Sequence, residues 1–160
     1  MKFIYWMLLI LFSISHGSEL TEKKFADFYG KDESGKVVKL SEIAGKGKPV
    51  VVVFWAIGDV DTYKILPKIN SLYDKYKNRV LFVAPLLSKS DEREVKEAKK
   101  LIPLKVPVWL AGTDAIKGYN INKVDVPYVV FIDKDGNILS VMKTTRDEKD
   151  IEKSILDLLK

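Results

Sequence analysis

Four consecutive valines, Val50 to Val53, run directly into Phe54 and Trp55. A stretch without polar alternation has no face to offer to water, so it reads as a central strand covered on both sides. Gly58 and Asp59 end the run. Beyond them Ile65, Ile69, Leu72 and Tyr76 recur at helical spacing on one face, while Lys64, Lys68, Lys75 and Lys77 fall elsewhere. A buried strand therefore delivers its last residues to the start of a helix, where unpaired N–H groups gather.

The remaining segments repeat the alternation of strand and helix. Phe25 to Tyr29 and Lys36 to Leu40 flank Gly30–Gly35 as an N-terminal β-hairpin, and Ser41–Gly45 reads as one helical turn stopped by Gly45. Arg79–Leu87 is a second buried strand. Asp91 with Glu94 gives a capping-box signal for a helix facing inward through Val95, Ala98 and Ile102. Val106–Ala111 is a short strand with Pro107 near its start, and Asp114–Tyr119 a short helix ended by Gly118. Tyr128–Asp133 and Asn137–Lys143 pair through the turn Lys134-Asp135-Gly136, and Thr145 with Glu148 caps a last helix carrying Ile151, Ile155, Leu158 and Leu159 inward. The pattern predicts an α/β fold, a central mixed sheet with helices on both faces.

At 160 residues, with 47% apolar and 31% charged side chains, the chain suits one globular domain. Residues 1–17 stand apart: Lys2 precedes an apolar run to Phe12, and Ser15 and Gly17 place small residues at a cleavage site. The apolar core is shorter than the ~18 to 20 residues of a full membrane span. This reads as a signal peptide, with retention as an N-terminal anchor the alternative, and residues 18–160 as the domain. The expected location is exported, periplasmic or otherwise extracytoplasmic, with a membrane met only through an uncleaved N-terminal segment. Cleavage after Gly17 removes the only histidine, His16, and lowers the formal charge from +5 to +4, because Lys2 is the one charged side chain lost. The positive charge is dispersed among Asp and Glu and does not interleave with aromatics, so no nucleic-acid groove is expected.

At the strand–helix junction, Phe54-Trp55-Ala56, a short turn and a helix carrying Pro67 resemble the TlpA/ResA-type thioredoxin-like domains of the redoxin (AhpC/TSA-related) superfamily. Val126-Pro127, followed by Tyr128-Val-Val-Phe-Ile-Asp-Lys-Asp-Gly136, is similar to that family's Val-Pro-Thr and following hairpin. The resemblance extends roughly from Phe25 to the C-terminus. It implies a thioredoxin fold, a cis Pro127 facing the turn, and a Cys-x-x-Cys motif that would fall on Asp59-Val60-Asp61-Thr62. The chain has no cysteine anywhere.

That absence removes the family's chemistry. Thiol exchange and peroxide reduction need a thiolate, which the helix N-terminus would stabilise. Asp59 or Asp61 satisfies the same field as an N-cap but has no redox capability. A hard cation on Asp59 and Asp61 is opposed by the positive helix end and lacks a third nearby carboxylate, and soft metals lack thiolate and imidazole. Gly45-Lys-Gly-Lys48 lacks the spacing of a phosphate loop. Catalytic residues, metal ligands and cofactors are accordingly expected to be none.

What the resemblance leaves is a surface. In related proteins the residues around the tryptophan, the turn and the cis-proline form a groove for an extended partner segment. Here Trp55, Ile57, Gly58, Asp59, Val60, Asp61, Thr62, Val126, Pro127 and Tyr128 would form it. Trp55 has the alternative role of packing beneath the turn, and Tyr128, replacing the family's Thr, would narrow the groove. The leading expectation is a non-catalytic module that binds an exported protein or an extended polypeptide segment. The alternatives are a redoxin-family protein whose activity is lost or depends on a partner's cysteines, and a purely structural subunit.

Overall fold

The computed structural model describes residues 23–87, 92–101, 104–144 and 147–160. Its elements in chain order are β1 (Tyr29–Lys31), β2 (Val37–Lys39), β3 (Val50–Phe54), α1 (Val60–Tyr76), β4 (Leu81–Leu86), α2 (Glu92–Leu101), β5 (Val108–Ala111), α3 (Thr113–Tyr119), β6 (Tyr128–Ile132), β7 (Ile138–Lys143) and α4 (Glu148–Leu158). Among the described residues the strands form one seven-stranded mixed sheet in the order β2-β1-β5-β4-β3-β6-β7. Strands β3, β4 and β5 run parallel, and β6 and β7 return antiparallel. The N-terminal hairpin is part of this sheet, since β1 pairs with β5 through Gly30 and Ala111.

Strand β3 lies inside the sheet, and all five of its residues are fully buried. Its alternating side chains feed two cores. Val51, Val53 and the following Trp55 pack with Ile65, Leu66 and Ile69 of α1, Val95 of α2 and Ile151 and Ile155 of α4. Val50, Val52 and Phe54 pack on the other face with Phe28, Trp109 and Ala115 and Tyr119 of α3. Each fully buried valine or phenylalanine contributes about 1.5–3 kcal/mol relative to exposure, so this strand anchors both layers. The architecture is a thioredoxin fold with added strands.

Two boundaries differ from the sequence reading. Gly118 does not end α3. It lies within the helix, where a Cβ would come 3.1 Å from that of Ala26, and Asn120 takes the left-handed conformation (φ 50°, ψ 48°) that closes the end. Helix α4 is capped by Asp147, whose carboxylate accepts the Lys149 N–H. Thr145, Asp91 and Ile102 lie outside the described residues. The Lys134-Asp135-Gly136 turn forms as expected, with Gly136 at φ 89° against the Phe25 ring.

Candidate functional site: a cysteine-free turn at a helix N-terminus

Trp55 leaves β3 at the end of the sheet where α1 begins. Its backbone stays in the sheet, donating to the Pro85 carbonyl at 3.2 Å and accepting from the Leu87 N–H at 2.8 Å. Its indole Nε1–H donates to the Ala84 carbonyl at 3.1 Å, and the side chain is 1% exposed. An indole donor buried with a carbonyl partner is fixed in place. Trp55 therefore underlies the turn and does not line a groove.

The turn reverses at Gly58 (φ 85°), a conformation that side-chain-bearing residues rarely adopt. Asp59 then takes extended geometry as the N-cap of α1, and its Oδ2 accepts the Thr62 N–H at 2.6 Å. Of the two candidate caps in the sequence, Asp59 is the one used. A second bond tightens the turn: the Gly58 N–H donates to the Tyr63 hydroxyl at 2.9 Å. Tyr63 went unnoticed in the sequence because nothing local distinguishes a tyrosine in the first helical turn from one on a solvated face.

Thr62 occupies the position of the family's second cysteine and is completely buried. Its Oγ1 has no hydrogen-bond partner among the described residues. A buried hydroxyl left unpaired carries a penalty of about 1–3 kcal/mol, whereas a thiol, a weaker donor and acceptor, tolerates such a place better.

Facing this turn is the segment before β6. Phe54 pairs with Tyr128 across the sheet, so Val126 and Pro127 run past the start of the turn. The Val126–Pro127 peptide bond is cis. Val126, Pro127 and Tyr128 are buried. Tyr128 points its hydroxyl to the Tyr119 carbonyl at 3.2 Å, and burial holds its pKa above the ordinary tyrosine value. It fills the second core and does not narrow a groove. Asp125 accepts the Asn122 N–H at 2.9 Å, which more than any other contact lowers its pKa, and Lys143 stands 3.5 Å away.

The accessible surface thus comes from fewer residues than the sequence suggested. Ile57 and Val60 are exposed, Gly58 is exposed between them, and Asp59 and Asp61 are half-buried. Val124, missed in the sequence, stands 79% exposed two residues before Val126. Its only signal was an apolar side chain between Lys123 and Asp125. Among the described residues no three His, Cys, Asp or Glu side chains converge as a metal site would require.

A family model described as the AhpC/TSA family matches residues 21–141. The chain belongs to the AhpC/TSA family. Within it, the chain is 30% identical over 131 residues to the thiol-disulfide oxidoreductase ResA of Bacillus thuringiensis subsp. konkukian, covering 81% of this chain and 73% of that protein. Its fold is similar to a putative thiol:disulfide interchange protein DsbE from Chlorobium tepidum, with a TM-score of 0.76, 24% identity, and coverage of 87% of this chain and 97% of that one. It is also similar to a secreted Mycobacterium tuberculosis disulfide oxidoreductase, with a TM-score of 0.69, 17% identity, and coverage of 81% and 95%. The family's scaffold is present without cysteine, so the chain has no thiol of its own with which to exchange electrons.

Proposed function

We propose that this protein acts outside the cytoplasm as a non-catalytic binding module, holding an extended polypeptide segment at the surface around Ile57, Val60 and Val124. The observation that carries the reading is the pairing of a capped, cysteine-free turn with exposed aliphatic side chains beside a retained cis-proline loop. Aliphatic surface of this kind gains free energy when a partner covers it. An extracytoplasmic setting is supported by the apolar leader following Lys2 and by similarity to a protein described as secreted.

The test uses an unfolded, S-carboxymethylated polypeptide, which has no free thiol to trade. Binding is expected to shift the amide resonances of Ile57, Val60 and Val124, and Val60→Asp is expected to weaken it. Insulin reduction should proceed at the buffer rate. Binding indifferent to Val60→Asp and Val124→Asp, or insulin turnover by the purified protein, overturns the reading. Replacing both Asp59 and Thr62 by Cys should yield a disulfide under mild oxidant, since the turn keeps the family's register.

A further inference from the structure

A second site lies along β5, where the N-terminal hairpin borders that strand. There the tip of the β1–β2 hairpin reaches α2: the Glu33 carboxylate accepts from Lys99 Nζ and, at 3.3 Å, from the Val108 N–H. Between hairpin and helix is a cavity of about 70 Å³ floored by Val95, Val108 and Leu110. Its rim carries Lys31 and Lys96, and neither has an ion-pair partner among the described residues. Two acids of the hairpin, Asp32 and Glu33, line the same cavity. Asp32 Oδ1 accepts the Ser34 hydroxyl and the Ser34 and Lys36 N–H groups within its own turn, and Glu33 is held by Lys99.

We infer that this cavity and the sheet face beside it bind an acidic, apolar segment of a partner protein, with a carboxylate between Lys31 and Lys96 and an adjacent aliphatic side chain on the Val95–Leu110 floor. Charge complementarity names the ligand: Lys31, Lys96 and Lys99 against Asp32 and Glu33 leave the lining net positive over an apolar base, which suits a carboxylate attached to hydrocarbon. The size excludes a nucleotide or a bulky cofactor, because such a volume accommodates only the end of a side chain or a few waters. The surface continues past the cavity. Tyr29 and Val37, on the same sheet face as Lys31, are 55% and 57% exposed, which gives a chain of several residues more to rest on than a single small acid could use. This site is independent of the turn at Asp59.

The experiment measures fluorescence anisotropy of a labelled, alternating Leu-Glu decapeptide with the full chain. Binding is expected, falling with added salt. The double variant K31E/K96E should weaken it roughly tenfold through lost pairing and new repulsion, while V60D leaves it unchanged. Both lysines project into solvent, so the variant should fold, and an unchanged circular dichroism spectrum checks this. Three results overturn the proposal: wild-type affinity in K31E/K96E, equal affinity for a Leu-Gln decapeptide, or displacement by free glutamate as effective as by the peptide. Loss of binding in V60D assigns the peptide to the turn and also overturns it. Failure at the hairpin with success of the carboxymethylated polypeptide at the turn separates this proposal from the preceding one.

Discussion

Helices α1 and α4 begin in the same way. Each is opened by an aspartate in extended geometry, Asp59 or Asp147, whose carboxylate accepts a backbone N–H in the first turn. Their surroundings differ. Behind Asp147 the helix is an ordinary amphipathic one that buries Ile151, Ile155 and Leu158. Behind Asp59 lie a buried tryptophan, a buried hydroxyl on Thr62 with no partner among the described residues, and a valine at Val60 that is 63% exposed. An aspartate cap is therefore no sign of function by itself. What distinguishes the α1 end is a polar atom where the packing offers no partner and an apolar one where solvent offers none.

The comparison can be broken at four places. The largest expected effect is at Trp55, where Trp55→Ala should cost about 3–5 kcal/mol in denaturant unfolding because the indole fills the core beneath the turn. A cost below 1 kcal/mol would show that the tryptophan does not support the α1 end. Next, Asp59→Ala and Asp147→Ala should each cost about 1 kcal/mol, as loss of a cap does. If Asp59→Ala is neutral or stabilising while Asp147→Ala is costly, the first aspartate is kept for something other than stability. Third, Thr62→Val should raise stability by about 1 kcal/mol, since it keeps the shape and deletes the orphaned hydroxyl. A loss of that size would mean that the hydroxyl finds a partner. The smallest effect is at Val60, where Val60→Asp should change stability by less than about 0.5 kcal/mol, so that any loss of polypeptide binding reports on the surface.

The parts legible from sequence were those set by strong local patterns. Val50–Phe54 has too little polarity to be anything but a covered strand, the Ile65–Tyr76 spacing fixes one face of α1, and Gly136 supplies the positive φ of the last hairpin. The parts misread depend on atoms distant in the chain. Gly118 is small because Ala26 crosses it, a contact between residues far apart in sequence that no local rule contains. At the turn, sequence identified Asp59, Thr62 and the cis Pro127 but not the direction of the side chains. Whether Trp55 and Tyr128 face out or in depends on the carbonyls of Ala84 and Tyr119, which only the folded sheet brings within reach. Val124 was overlooked for the converse reason, since one valine among charges signals neither core nor surface until its exposure is known.

The bond from the Gly58 amide to the Tyr63 phenol has a consequence for recognition. By tying the start of the reversal to the first coil of the helix, it leaves the lip of the site little freedom to surrender when something settles on it. Association at such a lip loses less entropy than at a slack loop, so modest aliphatic contact can yield a measurable complex. Tyr63→Phe, which deletes the tether while keeping the ring, would return that freedom and should appear as weaker binding with the rest of the molecule intact.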